Sequence, residues 1–212
     1  MNIKICGVTR PEDAAFAAEA GAWAVSVIFS PRSPRFVTAG KAIEILKAVP
    51  KGVLRAGVFF DQSLDVIRRV EAEVPLDLIQ LHGRESGALC ESVGRDRCIK
   101  AVFLADADSV GKALEYPCGF LLVDRLRLSS GPEGKALFVS PELANSLARK
   151  KEKTLLAGGL TPETVGAAVR AVRPWGVDVA SGVEDSPGVK NRGRIRAFIA
   201  AAQRAEEESH AA

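Results

Sequence analysis

Residues 1–9, MNIKICGVT, predict the first strand of a parallel sheet and the start of the loop that follows it. Two isoleucines alternate with Lys4 and Cys6, so an extended chain directs the isoleucines to one face and Lys4 and Cys6 to the other. Gly7 interrupts this pattern, and Thr9 stands where we expect the N-cap of a helix. Cys6 is therefore expected at the carboxyl end of a first strand, where a strand–helix unit presents its side chains to a loop.

An apolar, strand-like run followed by an alanine-rich amphipathic segment recurs along the whole chain. The predicted strands are 3–6, 24–29, 55–60, 76–81, 98–103, 119–124, 154–157 and 177–180. The predicted helices are 11–20, 39–49, 64–73, 86–93, 108–114, 141–150, 162–172 and 192–205. Apolar strands that alternate with helices favour a parallel sheet covered by helices. Eight such units in about 200 residues predict an α/β fold, a single-domain (β/α)8 TIM barrel over residues 1–205, followed by a polar tail at 206–212.

A doubly wound open sheet is the alternative fold for such a chain. It would require a glycine-rich phosphate loop after its first strand, and Gly7 is the only glycine there. The length of 212 residues and the hydrophobic content of 47% are sufficient for one full core. These features favour the closed barrel.

Composition and charge exclude several classes of function. No run approaches the roughly 18 consecutive apolar residues of a membrane span, and no signal peptide is visible, so we expect no membrane partner. The net charge of +3 is small and no basic face is interleaved with aromatic residues, so we expect no nucleic acid partner. With only two histidines and no acidic cluster of ligand-like spacing, we expect no metal. Four cysteines without a CxxC pair favour a reducing, cytoplasmic setting.

The candidate functional residues follow the predicted strands. The active site of a (β/α)8 barrel lies at the carboxyl ends of its strands, so the side chains at these positions should share one pocket. They are Cys6 after the first strand, Arg32 and Arg35 after the second, His82 after the fourth, Asp124 after the sixth, Gly158 and Gly159 after the seventh, and Ser181 and Gly182 after the eighth.

Each candidate also has a purely structural interpretation. A lone Cys6 is more often a small buried hydrophobic residue than a nucleophile or base, and His82 is more often a loop histidine with its hydrogen bonds satisfied. Asp124 ends an apolar run, where a carboxylate is costly unless it is paired or faces the mouth of a pocket. Lys4 points into the barrel and requires a carboxylate, for which Asp178 on the neighbouring eighth strand is the candidate.

The same two interpretations apply to the loops. Arg32 and Arg35, with prolines beside them, form either a stiff solvated turn or guanidinium groups that await a carboxylate or phosphate. The Gly158–Gly159 and Ser181–Gly182 pairs could be ordinary turns. We favour a phosphate site for them, because the loops after strands seven and eight commonly form one in this architecture.

Blocks distributed over nearly the whole chain resemble the phosphoribosylanthranilate isomerase family of tryptophan biosynthesis. They are KICGVT, GAWAVSVIFSPRSPRFV, AGVFFDQ, LDLIQLHGRES, CIKAV, LLVD, LLAGGLTPETV and DVASGVEDSPGVKN. Each block alone is weak evidence, but their common order and spacing are specific.

The resemblance implies an Amadori rearrangement of N-(5-phosphoribosyl)anthranilate to 1-(o-carboxyphenylamino)-1-deoxyribulose 5-phosphate, a small-molecule substrate turned over without a cofactor. It implies that Cys6 is the general base at ribose C2 and that Asp124 is the general acid at the ring oxygen. It also implies that Arg35 holds the anthranilate carboxylate, that Gly159, Ser181 and Gly182 contribute to the phosphate site, and that His82 lies near the pocket without a role in proton transfer.

The chain departs from the family pattern at two places. Trp23 and Ser26 replace an acidic residue and a glycine, both at positions that we expect outside the proton-transfer groups. The loop at 125–141 lacks the usual GGTG-like run and the tryptophan that follows it, although Gly131, Gly134 and Phe138 could preserve some flexibility and aromatic character.

Two alternatives to this isomerase stay open, and the altered loop motivates the first of them. One is a non-catalytic barrel paralogue that binds a phosphorylated sugar in a regulatory or assembly role, against which Cys6 and Asp124 argue. The other is an isomerase of the related histidine-pathway aminoaldose, a class that typically uses two carboxylates. We expect a monomer or a homodimer.

Overall fold

The structure of the chain, a computed structural model, describes residues 1–124, 126–127, 136–137 and 140–211, with side chains for 1–124 and 140–209. Within these residues, eight parallel strands close into one barrel, which confirms the predicted (β/α)8 fold. The barrel strands are β1 (Asn2–Ile5), β2 (Ala24–Ile28), β3 (Leu54–Phe59), β4 (Leu78–Leu81), β5 (Cys98–Phe103), β6 (Phe120–Asp124), β9 (Thr154–Leu156) and β10 (Gly176–Val179). Two short antiparallel pairs, β7 (Leu126–Arg127) with β8 (Ala136–Leu137) and β11 (Glu184–Ser186) with β12 (Val189–Lys190), lie outside the barrel.

The barrel closes where β1 pairs with β10 on one side and with β2 on the other. In this register Lys4 is opposite Asp178 on β10 and Ala24 on β2. Closure therefore brings together strands that are far apart in sequence, and it places their interior side chains at a common level.

Helices cover the outside of the barrel. They are α1 (Pro11–Glu19), α2 (Ala39–Lys47), α3 (Leu64–Glu73), α4 (Gly87–Ser92), α5 (Ala107–Leu114), α6 (Pro141–Lys150), α7 (Val165–Val172) and α8 (Arg192–Ala211). Side-chain caps fix several of their starts: Thr38, Ser63 and Ser86 each accept a hydrogen bond from the backbone of the first turn.

The prediction that Thr9 caps the first helix is wrong. Arg10 occupies the N-cap position of α1 and makes no side-chain cap, while Pro11 has no backbone N–H and so needs no acceptor there. The Thr9 hydroxyl instead donates to the carbonyl oxygen of Gly188 at 2.6 Å. Thr9 therefore ties the loop after β1 to the β11–β12 hairpin.

Aromatic side chains close the amino end of the barrel. Trp23, Phe120 and Trp175 have ring centroids 5.0–5.6 Å apart, and they pack on the interior residues of the strands. This apolar cluster fills the amino end of the barrel. The candidate residues lie at the opposite end, after the carboxyl ends of the strands.

Two parts of the chain lie beyond the predicted elements. Helix α8 continues to Ala211, past its predicted end at 205, so the polar tail extends the last helix as far as the structure describes it. The division into a barrel at 1–205 and a tail stays a prediction. Gly131, Gly134 and Phe138 lie outside the described residues. No helix in the described ranges is sufficiently long and apolar to span a membrane.

Candidate active site

A cavity of about 930 Å³ opens at the carboxyl ends of the barrel strands. All the predicted site residues line it: Cys6, Arg32, Arg35, His82, Asp124, Gly158, Gly159, Ser181 and Gly182. The structure thus brings together residues from both ends of the chain, as the barrel prediction requires.

Cys6 lies directly after β1, with its backbone N–H bonded to the carbonyl oxygen of Val179 at 2.8 Å. The residue is 6% exposed. Burial raises the pKa of the thiol, and although the Lys4 ammonium lowers it, the net pKa lies above that of an ordinary cysteine. The predicted ion pair beneath it is confirmed, because Lys4 Nζ lies 2.7 Å from Asp178 Oδ1.

Asp124 ends β6 and is bonded to His82. The His82 Nε2 atom lies 3.0 Å from Asp124 Oδ2, and Nδ1 lies 2.7 Å from the side-chain nitrogen of Gln80. With the Gln80 amide donating to Nδ1, a neutral imidazole carries its proton on Nε2 and donates it to Asp124. His82 is therefore a direct partner of the candidate acid, a contact that the sequence did not predict.

Arg35 is held by a carboxylate of the protein. Its Nε and Nη2 atoms donate to the two oxygens of Glu184 at 2.8 and 2.5 Å, in the two-point geometry typical of arginine. Its hydrogen bonds to Glu184 raise the pKa of Arg35. Arg32, the alternative cation, lies with its guanidinium carbon 5.5 Å from the ring centre of Phe60.

Glu184 also holds Lys190, and sequence reasoning assigned a role to neither residue. Lys190 Nζ donates to Glu184 at 2.8 Å, to the Cys6 carbonyl oxygen at 2.5 Å and to the Ala180 carbonyl oxygen at 3.1 Å. Burial lowers the pKa of Lys190. One buried ammonium thus joins the backbone after β1 to the backbone after β10.

The loops after β9 and β10 meet at the far side of the cavity. Gly158 and Gly159 have φ values of +94° and +78°, a conformation that favours glycine. A side chain at Gly182 would collide with the carbonyl oxygen of Leu160, so this close approach also requires glycine. The adjoining space is lined by Thr161 and Arg194 as well.

A family model described as N-(5'phosphoribosyl)anthranilate (PRA) isomerase matches residues 3–201 of the chain. The chain belongs to the PRA isomerase family. Like the other members, it is an isomerase of tryptophan biosynthesis that acts on phosphoribosylanthranilate.

Similar PRA isomerases cover nearly all of the chain. The N-(5'-phosphoribosyl)anthranilate isomerase of Pelobacter propionicus is 39% identical over 210 residues, 99% of each chain. The crystal structure of the Thermotoga maritima enzyme is 37% identical with a TM-score of 0.86, and the match covers 96% of this chain and 98% of that one. A second solved PRA isomerase, 35% identical with a TM-score of 0.81 and the same coverage, holds reduced 1-(o-carboxyphenylamino)-1-deoxyribulose 5-phosphate.

Lys100 and Glu85 form a third buried lysine–carboxylate pair beside the site, after Lys4–Asp178 and Lys190–Glu184. Lys100 Nζ lies 2.8 Å from Glu85 Oε2 and donates to the Gly83 carbonyl oxygen at 2.7 Å. Glu85 in turn accepts from the backbone N–H groups of Gly83 and Asp61 at 2.8 and 2.9 Å. The pair fixes the loop that carries His82. A lysine inside the apolar block CIKAV is the signal that could have indicated it.

No metal centre is visible in the part of the chain that the structure describes. Among these residues, no group of three or more histidine, cysteine, aspartate or glutamate side chains could hold a metal ion. The polar groups of the cavity are instead suited to proton transfer and to binding anions.

Proposed function

We propose that Cys6 is the general base and Asp124 the general acid of the isomerisation. The observation that carries this proposal is the placement of a thiol and a carboxylate on separate walls of one cavity. In the barrel, β10 and β9 stand between β1 and β6 on one side, and β2 to β5 stand between them on the other. A ribose between these walls can exchange protons with two different groups.

The proposed chemistry needs two proton transfers with Asp124 and Cys6, followed by a tautomerisation that moves the enol O–H proton of C2 to C1. Asp124 gives a proton to the ring oxygen of the ribose, the C1–O bond breaks, and the anthranilate nitrogen forms a C1=N iminium. Cys6, as the thiolate, then takes the proton from C2, and the electron pair of the C2–H bond forms an enolamine. Tautomerisation gives the C2 ketone, so C1 is reduced, C2 is oxidised, and no external oxidant or cofactor is required.

His82 supports the acid. A hydrogen bond from Nε2 fixes the orientation of the Asp124 carboxyl group, and Gln80 fixes the imidazole from the other side. We propose that His82 positions Asp124 and contacts the substrate at the cavity wall, while the transferred proton belongs to the carboxyl group.

The two anionic ends of the substrate would bind to opposite parts of the cavity. Arg35 has five N–H donors, of which Glu184 engages those at Nε and Nη2, so the guanidinium is held in place with further donors for the anthranilate carboxylate. We propose that Gly158, Gly159, Ser181 and Gly182 bind the phosphate with backbone groups of the loops after β9 and β10.

Location and assembly are proposals as well. Cys6, Cys90, Cys98 and Cys118 are free thiols, which supports the cytoplasm as the setting. The expected assembly is a monomer or a homodimer, and one solved relative from Thermotoga maritima is described as dimeric. Light scattering of the purified chain distinguishes the two.

The test of these roles is turnover of phosphoribosylanthranilate, generated in the assay from anthranilate and phosphoribosyl pyrophosphate and followed by loss of its fluorescence. Cys6→Ser should lower kcat by at least about 100-fold, because a general base contributes roughly that much or more. Asp124→Asn should abolish turnover.

Cys118→Ser is the matched control, because Cys118 is also buried but does not line the cavity. It should keep kcat within about twofold of the unmodified chain. Full activity of Cys6→Ser would remove Cys6 from the mechanism, and full activity of Asp124→Asn would do the same for Asp124. Binding of the reduced product without turnover by the unmodified chain would favour the non-catalytic paralogue.

A further inference from the structure

Ser26 on β2 carries a buried hydroxyl group without a hydrogen bond. The residue is 0% exposed, and among the described residues no donor or acceptor bonds to its Oγ atom. A buried hydroxyl is normally satisfied, because burial removes its bonds to water. Its position beside the reacting groups indicates a partner that forms during the reaction.

The strand register places this hydroxyl next to Cys6. Lys4 is paired with Ala24 and Ile5 with Val25, so the next pair along the two parallel strands is Cys6 with Ser26. The ladder continues past this point, because the backbone N–H of Val8 donates to the Ser26 carbonyl oxygen at 2.9 Å. Since side chains alternate along both strands, Cys6 and Ser26 share the interior face. Burial raises the pKa of the Cys6 thiol above its ordinary value, and the nearby Ser26 hydroxyl acts in the opposite direction.

Ser26 itself does not reach the substrate. Cys6 lines the cavity, whereas Ser26 lies beneath the cavity wall and is absent from its lining. Any effect of the hydroxyl on the reaction must therefore pass through the sulfur atom.

We propose that Ser26 is a positioning residue that donates a hydrogen bond to the Cys6 thiolate. The inference rests on the proposed role of Cys6 as general base. A neutral thiol is a weak acceptor and leaves the hydroxyl unsatisfied, but a thiolate is a strong one. Ser26 keeps its own proton throughout, and it favours the charged form of Cys6 over the neutral form.

The charged groups around Cys6 are already paired with one another, so a neutral donor can still affect the pKa of the thiol. Lys4 on β1 is paired with Asp178 on β10. Arg35, from the loop after β2, and Lys190 on β12 share the carboxylate of Glu184. Each cation that acts on the sulfur already has an anionic partner, which weakens its effect on the thiolate. The Ser26 hydroxyl group has no such competing partner among the described residues, so it can donate its hydrogen bond to the Cys6 thiolate.

The test measures the pKa of the Cys6 thiol in the resting protein. The rate of alkylation by iodoacetamide is recorded against pH, and modification is counted at the Cys6 peptide by mass spectrometry so that the other cysteines do not contribute. Ser26→Ala and Ser26→Gly both remove the hydroxyl and should raise the midpoint by about one pH unit, the lower end for a lost hydrogen bond to a charged group. Below the midpoint, alkylation should be about tenfold slower.

Thr154→Val is the control, because Thr154 is a buried hydroxyl residue at the start of β9 whose Oγ1 donates to the backbone carbonyl oxygen of Lys151. It should leave the midpoint of Cys6 unchanged even if it lowers stability. An unchanged midpoint in both Ser26 variants would overturn the proposal.

The pH dependence of kcat/KM separates this inference from the role of Cys6 on which it rests. If the acidic limb of kcat/KM moves with the alkylation midpoint, both are supported. If only the alkylation midpoint moves, the Ser26–Cys6 hydrogen bond stands and Cys6 is not the base.

Discussion

Replacement of Glu184 by glutamine tests the ion-pair cluster that connects the loops after the first, second and last strands of the barrel. The Glu184 carboxylate accepts hydrogen bonds from Arg35, Lys190 and the backbone of Gly188. A neutral amide would leave the Lys190 ammonium, whose side chain is 0% exposed, without the negative charge of Glu184, so that only neutral oxygens such as the carbonyls of Cys6 and Ala180 accept from it. Because removal of one partner of a buried pair costs about 3–5 kcal/mol, and because these carbonyls remain, we expect a loss of about 3 kcal/mol in the free energy of unfolding.

The assay is urea unfolding at pH 7, followed by the fluorescence of Trp23 and Trp175. In thermal unfolding, the same loss of about 3 kcal/mol corresponds to a fall in Tm of roughly 6–12 °C for a chain of this size. The matched control is Asp77→Asn. Asp77 binds Arg55 through two points at 2.9 and 3.2 Å, but both side chains are 33% exposed. An ion pair that is open to solvent to this extent should cost less than about 1 kcal/mol.

The effect of Glu184→Gln should also depend on pH. Burial raises the pKa of Glu184, but hydrogen bonds from Arg35 and Lys190 outweigh it, so the net pKa is lowered. A carboxyl group with a lowered native pKa stabilises the fold fully above its unfolded pKa of about 4.3, and this contribution is lost as the pH falls through the native value. The difference between the unmodified chain and the variant should therefore narrow in acid.

Equal losses in the free energy of unfolding for Glu184→Gln and Asp77→Asn would refute the reasoning. Burial would then have no effect on how much an ion pair stabilises the fold. A difference in stability that stays constant between pH 7 and pH 3 would refute the assignment of a lowered native pKa to Glu184.

Two further variants test the residues that hold the substrate and the site loops. Arg35→Ala should raise KM about 30-fold with a smaller change in kcat, because a lost charged hydrogen bond of about 2 kcal/mol affects binding; an unchanged KM would move the anthranilate contact to Arg32. Lys100→Met should destabilise the chain by about 3 kcal/mol and lower kcat, because the backbone on both sides of His82 loses its buried donor. Hydrogen exchange at residues 81–85 measures the loosening, and an unchanged kcat with faster exchange would show that the His82 loop needs no such support.

The barrel could be predicted because its signal is local and repeated. Each strand is a largely apolar run, and each covering helix has one apolar face, so hydrophobic burial determines both. The order of the units then allows few topologies. Helix starts were less predictable: Thr9 has the chemistry of an N-cap, but a tertiary contact with Gly188 takes its hydroxyl.

The candidate site was predicted to the extent that it follows from strand ends. Position after a strand was sufficient to identify Cys6, His82 and Asp124 as groups that share one pocket. It was not sufficient to show that His82 bonds to Asp124, because that depends on the rotamers of side chains on β4 and β6. The prediction that Lys4 pairs with Asp178 succeeded because closure of a barrel makes its first and last strands neighbours.

The sequence by itself determined the fold, the end of the barrel that carries the site, and the residue types available for chemistry there, because periodicity and strand ends are properties of the chain order. Only the tertiary structure decided the partners of those residues. Arg35 meets Glu184, Lys190 meets the backbone of Cys6, and the register of β1 with β2 sets Ser26 beside Cys6. Periodicity shows which face a side chain occupies, but distance across a closed barrel depends on register and closure, which the pattern of one segment does not contain.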